Sequence, residues 1–368
     1  MLEVLMDVTA LAGTRTGVGH FTDAVCRHLA RDPRVALTTI AFTWHGRSQI
    51  EEALPEGVRH CRVPVPARPA RIVWTRSKRP PVDWVAGRHD VFYGPNYFAP
   101  PTRGASVVSV HDLTFWLYPD LAHPATLEFA RLVALAAERG SWFHTAANAV
   151  AEQIEQAFPA AAGRVVVVPD GVTPVPEADP AEGRRLAGAD RYILSVGTIE
   201  PRKNFPTLVR AFDLLANRLP DVGLVIAGPP GWDGGELERT VASADAGDRI
   251  RLLGWVTDRQ RAALFRGASV FAFPSLYEGF GLPPLEAMTA GVPVVASDAG
   301  SLPEVLGDAA ILVPPKDVGL LAESLLGVLS DDELAATLVA KGSQRVASYT
   351  WERCVDGLVQ LFERARAT

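Results

Sequence analysis

The sequence predicts an α/β protein of two Rossmann-like parallel-sheet domains facing each other across a cleft. Short β-rich runs alternate with helically spaced apolar residues almost from end to end, the pattern of layered strands and helices. Several runs lack polar alternation, as parallel strands covered on both faces require. A proline-rich break divides the runs into two series, and 368 residues is long for one core.

In the first series the strands are read at 3–8, 36–42, 91–93, 106–110 and 164–168. Between the first two, Phe21, Ala24, Val25 and Leu29 keep helical spacing and give one apolar face. The second series is read at 192–196, 224–227, 250–253, 270–273, 292–296 and 311–313. The break carries Pro174, Pro176 and Pro180 among acids and small residues and reads as a linker. The expected organisation is an N-terminal domain over 1–172, a linker over 173–190 and a C-terminal domain over 191–347. A final helix within 348–368 repeats Cys354, Val355, Leu358, Leu361 and Phe362 at helical intervals and is expected to pack back on the N-terminal domain.

Composition narrows the class. A net charge of −6 gives no global attraction to nucleic acid, so no nucleic-acid partner is expected. Cys26, Cys61 and Cys354 form no C-x-x-C pair, which argues against a disulfide framework or a zinc site and fits a reducing cytosol. Glu3 without a basic n-region speaks against a signal peptide. No apolar run approaches the roughly 18 to 20 residues that span a bilayer. The expected location is cytoplasmic, with any membrane contact peripheral, at the inner face.

The strongest motif runs from Pro274 to Met288, P-S-L-Y-E-G-F-G-L-P-P-L-E-A-M, after a strand and into a helix whose first turn accepts Pro283 and Pro284. Its glycines let backbone approach a ligand, and the helix N-terminus offers free N–H groups to an anion. A carboxylate at each end, Glu278 and Glu286, suits polyol recognition, because one carboxylate accepts from two vicinal hydroxyls.

Two acids separated by seven residues around G-F-G-L-P, followed by A-G-V-P-V-V-A-S at 290–297, resemble the large bacterial family of retaining GT-B glycosyltransferases. That resemblance implies Glu278 at the hydroxyls of a donor sugar and Glu286 at the ribose of its nucleotide. It implies the backbone of Gly279, Phe280, Gly281 and Leu282 beside the diphosphate. It also implies a nucleoside diphosphate sugar as substrate, with no separate cofactor.

A second block, Gly197-Thr198-Ile199-Glu200-Pro201-Arg202-Lys203-Asn204, follows a strand directly, and Asn204 is placed to cap the next helix. A departing diphosphate needs compensating charge, which Arg202 and Lys203 are placed to supply. The family commonly adds an arginine after the glycine; Thr198 stands there, so neutralisation rests on those two residues. The wording is similar to a subgroup rich in mannosyltransferases, which favours GDP-mannose. No D-x-D occurs anywhere, which favours a metal-independent reaction.

In the first half, Gly13–His20 is read as a loop between strand and helix, with Gly17 and Gly19 a weak G-x-G. The resemblance sets this loop across the cleft from the donor; a plain tight turn is the alternative. His111 follows a strand, where the family often has a histidine that assists at the donor sugar. Ala147 and Val150 stand where the family usually shows serines. Arg62–Arg79 is basic without an acid and contains Ile72, Val73 and Trp74, so it is a candidate for contact with an anionic membrane or a lipid diphosphate. Its prolines argue against a long helix and for a solvated basic loop.

The function expected is retaining transfer of a hexose, mannose favoured, to a hydroxyl of a glycan or lipid-linked acceptor. A UDP-glucose-type transferase of the same fold is one alternative. A Rossmann NAD-dependent oxidoreductase is another, disfavoured because Thr22 stands where a third glycine belongs. A third is a catalytically idle protein that keeps the fold.

Overall fold

A computed structural model describes residues 1–13, 17–43, 46–62, 67–77 and 79–368, with 67–70 described through their backbone. The chain forms two compact units. The first takes Met1–Pro119, Pro124–Gly171 and Thr350–Thr368; the second takes Asp120–His123 and Val172–Tyr349.

The first unit is built on seven parallel strands: β1 (Leu2–Asp7), β2 (Val35–Ala41), β3 (Arg59–Arg62), β4 (Val91–Gly94), β5 (Ala105–Ser109), β6 (Trp142–Thr145) and β7 (Val165–Val167). Their order is β3-β2-β1-β4-β5-β6-β7. The central strands are closed to solvent on both faces: Val4, Leu5 and Met6 of β1 and every residue of β4 are buried. Two strands had no sequence signal. β3 is a polar edge strand, Arg-His-Cys-Arg, and β6 is only four residues long with a histidine in it.

Helix α1 (Gly17–Leu29) buries Phe21, Val25, Cys26 and Leu29 on one stripe. It also contains Gly17 and Gly19, so these glycines open a helix rather than form the expected loop. Residues 14–16 of that loop lie outside the described residues. Helix α2 (Ala67–Arg76) occupies much of the segment expected as a basic loop, with Pro69 confined to its first turn, where a missing N–H costs no helical bond. Residues 63–66 and Lys78 of that segment lie outside the described residues.

The second unit has six parallel strands: β8 (Arg191–Val196), β9 (Val222–Ala227), β10 (Ile250–Gly254), β11 (Val270–Phe273), β12 (Val294–Ser297) and β13 (Ala310–Val313). Their order is β10-β9-β8-β11-β12-β13. Ahead of β8, the stretch expected as linker folds into α3 (Pro180–Ala187). Asp179 caps it by accepting from the Ala181 N–H, Pro180 opens it, and Gly188 ends it at φ 67°. Of the prolines that read as interruption, Pro180 is here a start signal, while Pro174 and Pro176 lie in irregular chain ahead of it. Helix α4 (Phe205–Ala216) buries Phe205, Leu208, Phe212 and Leu215. Helix α5 (Asp258–Gly267) starts with a capping box between Thr257 and Gln260. Helix α6 (Leu282–Thr289) follows β11 and carries Pro283 and Pro284 in its first turn.

The last helix, α7 (Trp351–Arg366), belongs to the first unit. Cys354, Val355, Leu358, Val359, Leu361 and Phe362 share one core with Val4, Met6, Phe21 and Tyr93. The Tyr93 and Phe362 rings lie 5.0 Å apart. Truncating a fully buried phenylalanine such as Phe362 to alanine costs about 3–5 kcal/mol. Gly171 permits the closure: a Cβ there would stand 2.5 Å from the Trp351 backbone nitrogen.

Candidate active site

In both sheets the chain order reverses at one place, between β1 and β4 and between β8 and β11. Loops leaving the carboxyl ends of two such strands diverge and open a crevice where ligands bind. In the second unit the two loops at that point are 197–204 after β8 and 274–281 after β11. They carry Arg202, Lys203 and Glu278.

The turn Pro201–Lys203 presents both cations to the Glu278 carboxylate. Lys203 Nζ donates to Glu278 Oε1 at 2.6 Å, and Arg202 NH1 lies 2.7 Å from Glu278 Oε2. Arg202 NH2 donates to Glu200 Oε1 at 2.6 Å, and NH1 also to the Tyr277 carbonyl at 2.9 Å. Lys203, Glu200 and Glu278 are each less than a tenth exposed, and the Lys203 ammonium sits 4.8 Å above the centre of the Phe273 ring. Lys203 and the two carboxylates are thus buried beside the half-buried Arg202, the charges compensating one another. Burial alone would raise the Glu278 carboxyl, but the charges of Arg202 and Lys203 outweigh it and hold the group down to about 2. Burial pushes Lys203 below the usual ammonium range, against the pull of Glu278.

Backbone contacts clamp the two loops together. The Leu276 N–H donates to the Arg202 carbonyl at 2.8 Å. Asn204 does not cap α4 through its side chain. Its amide donates to the Pro274 carbonyl at 3.0 Å and the Pro315 carbonyl at 2.6 Å, while its oxygen accepts from Thr207 Oγ1. Asn204 takes φ 55°, a left-handed conformation that asparagine tolerates better than most residues. The Glu278 carbonyl accepts from the Ser301 N–H at 3.0 Å, a contact that leaves no room for a side chain at Gly300, where a Cβ would stand 2.3 Å from it.

Beyond Glu278, Gly279 and Phe280 form a bend, Gly281 takes φ 104° at the start of α6, and Leu282 is its first residue. The Phe280 ring is buried edge-on to Tyr349 at 5.5 Å. Glu286 stands on α6 and is paired with Arg261 of α5. The Arg261 guanidinium lies 5.1 Å over the Phe265 ring. The expected set in this unit therefore divides into Arg202, Lys203 and Glu278 together, and Glu286 with its own partner.

In the first unit His111 follows β5. Its Nε2 lies 2.7 Å from the Pro95 carbonyl, which only accepts, so Nε2 carries the proton. Burial lowers its basicity despite that bond and Asp112. Its Nδ1 then holds a lone pair with no hydrogen-bond partner among the described residues. The rings of Phe21 and Tyr97 flank it edge-on at 4.9 Å and 5.8 Å.

A second buried histidine escaped sequence reasoning. His144 Nε2 donates to the Val168 carbonyl at 2.9 Å, and Nδ1 lies 2.8 Å from Ser109 Oγ. Burial pulls His144 down to about 4, so the ring is neutral and Nδ1 accepts from Ser109. Ser109 Oγ in turn accepts from the Tyr93 hydroxyl at 2.7 Å. The hydrogen bonds run one way, from Tyr93 to Val168. Asp170 is 4% exposed with Oδ1 unpartnered, and burial pushes its carboxyl up to about 8. Glu200 and Arg261 were also missed. Glu200 lay inside a block already singled out, whereas nothing in the sequence of α5 marks Arg261.

Among the described residues no cluster of three or more His, Cys, Asp or Glu side chains could hold a metal ion. Among them, too, no helix is long and apolar enough to cross a membrane.

Residues 181–345 match the family model of glycosyl transferases group 1. The chain is 31% identical over 295 residues to the O-antigen chain mannosyltransferase B of Escherichia coli, covering 74% of each protein. It is 37% identical over 208 residues to a phosphatidyl-myo-inositol mannosyltransferase of Mycolicibacterium smegmatis, covering 54% of this chain and 51% of that one. Among solved structures it is similar to sucrose-phosphate synthase from Thermosynechococcus elongatus, with a TM-score of 0.77 and 21% identity over all of both chains. The fold it shares with such structures is GT-B.

Proposed function

The chain belongs to the glycosyl transferases group 1 family, and from that premise we propose that it is a retaining, metal-independent mannosyltransferase using GDP-mannose. The acceptor is a hydroxyl of a glycan or a lipid-linked glycan. Two relatives named as mannosyltransferases support the sugar, one of O-antigen chains and one of phosphatidyl-myo-inositol.

The observation that carries the chemistry is the buried Arg202–Glu278–Lys203 cluster at the strand reversal. Breaking the bond between the anomeric carbon and the diphosphate puts negative charge on the leaving oxygens, and fixed cations stabilise it best where water is excluded. Arg202 and Lys203 supply those cations. Glu278, held at about 2, is an acceptor only at neutral pH, which suits donor-sugar hydroxyls and does not suit a general acid. With a cation on each oxygen it is also a poor nucleophile. The reaction then proceeds on one face of the sugar. The bond from C1 to the diphosphate breaks, the bond from C1 to the acceptor oxygen forms, and the acceptor proton passes to the departing phosphate oxygen. Glu286 takes the ribose, the backbone of 279–282 the diphosphate, and His111 the donor sugar.

The acceptor is given to the first unit, where Gly17, Gly19 and α2 stand. Contact with an anionic membrane surface is proposed for the region around α2, although Arg62 and Arg71 there are already paired with Glu51 and Glu128.

The test is to incubate the purified protein with GDP-mannose and candidate glycans, with and without EDTA. GDP release and an α-mannoside, unchanged by EDTA, are expected. Turnover of UDP-glucose alone, a β-linked product or loss of activity in EDTA would each overturn the corresponding part.

A further inference from the structure

We infer that Arg261 is a positioning residue for nucleotide binding: it fixes the Glu286 carboxylate and keeps it charge-compensated when a nucleotide covers it. This presupposes the ribose role given to Glu286 above.

Arg261 lies one turn into α5, behind the capping box that pins the start of that helix. Its NH2 donates to Glu286 Oε2, and its guanidinium plane rests on Phe265, four residues further along the same helix face. Arg261 is therefore held from two sides, and through it so is Glu286. The Glu286 side chain is 19% exposed and that of Arg261 32%, so the pair sits at the rim between interior and solvent. Oε1 of Glu286 has no hydrogen-bond partner among the described residues.

An ionised carboxylate has about four acceptor positions on its two oxygens. Arg261 takes one and leaves enough to receive both hydroxyls of a vicinal diol. A diol brings hydrogen-bond donors but no charge. Once a ribose covers Glu286 and strips its water, the carboxylate needs a counter-charge that stays in place, because an uncompensated buried charge is strongly disfavoured. Arg261 is the only cation paired with Glu286 among the described residues. Its planar fork also sets the carboxylate plane in a way that a lysine ammonium reproduces only in charge.

The test is calorimetric titration of GDP, with UDP in parallel, into the full chain and its R261Q, R261K, E286Q and R261Q/E286Q variants. Thermal melts and kcat are measured on each. R261Q is expected to weaken nucleotide binding roughly ten-fold and to raise the donor KM alike, with kcat within about two-fold. R261K is expected to recover only part of the loss, because it restores the charge without the planar fork. The double variant is expected to bind no more weakly than E286Q within about two-fold, because both changes remove one unit. Wild-type binding by R261Q beside weakened binding by E286Q overturns the role of Arg261 and leaves that of Glu286 standing. Wild-type binding by E286Q, or no nucleotide binding by the parent protein, overturns both. A fall in kcat matching the loss of binding, or a double variant weaker by the full product of the two effects, also overturns it.

Discussion

Lys203 and Glu278 stand 75 residues apart in the chain and 2.6 Å apart in space, and neither has more than a tenth of its surface open to water. The contact is made by two loops that leave neighbouring strands, β8 and β11, at the place where the strand order turns back. With Arg202 on the other carboxylate oxygen, Glu278 is fixed in position and in charge before any substrate arrives.

Removing one member of this group strands the others. Lys203→Met and Glu278→Gln are each expected to destabilise the fold by about 3 kcal/mol or more, because a buried charge loses its partner. Both are also expected to lower kcat by at least about a hundred-fold. Urea unfolding and initial rates with GDP-mannose measure the two effects. A variant as stable and as active as the parent would deny the cluster any role.

Two buried carboxyls impose opposite pH dependences. Glu278 sits at about 2 in the fold against an ordinary 4.5, so its contribution is complete above pH 4.5 and is lost as pH falls from there toward 2. Asp170 sits at about 8 against an ordinary 3.8, so the folded state holds a proton the unfolded chain has given up. Stability is therefore lost as pH rises from about 4 to 8. Asp170→Asn keeps the shape without the charge and is expected to add about 2 kcal/mol at pH 8 and little at pH 4. Thermal melts across that range check it; a gain independent of pH would contradict it.

His111 is neutral, protonated on Nε2, with Nδ1 presenting a lone pair. The kcat profile is accordingly expected to show no inflection from this residue between pH 6.5 and 8, because its affinity for protons is lowered by burial. Nitrogen NMR is expected to report the Nε2–H tautomer at pH 7. His111→Phe, which fills the space without an acceptor, is expected to reduce kcat by about ten- to a hundred-fold. An Nδ1–H tautomer would leave no lone pair at Nδ1 and overturn this assignment.

Gly300 controls Glu278 from outside the motif. A Cβ at this position would stand 2.3 Å from the Glu278 carbonyl and 2.9 Å from its nitrogen, both backbone atoms that cannot swing away. Gly300→Ala is expected to destabilise by about 1–3 kcal/mol and to lower kcat more than it raises the donor KM. A change in KM alone would show that Glu278 has not moved.

Much of the layered fold could be read from the chain because buried parallel strands are uniformly apolar. The four residues of β11 were read to their ends, and the other apolar strands to within a residue or two. The failures share a cause. β3 looks polar because it lies at a sheet edge, and α3 looks like a linker because Pro180 was counted as a breaker rather than as a first helical residue. Gly17 and Gly19 were placed in a loop for the same reason, since glycine signals a turn unless tertiary packing overrides it. In the site, Arg202, Lys203, Glu278 and Glu286 were marked by their motifs. Their pairing was not legible, because an ion pair across 75 residues leaves no local pattern. Arg261 and Asp170 matter through what surrounds them, which only the folded chain supplies.

The closing helix has a consequence for how the molecule is made. Trp351–Arg366 fills the core of the first unit, yet along the chain it comes after the whole of the second. Until it emerges, the apolar surface around Phe21 and Tyr93 has no lid, while the second unit already has every residue it needs. Of the two units, the one whose translation starts earlier is thus completed later, and a ribosome stalled before Trp351 would hold an unfinished first unit beside a finished second one.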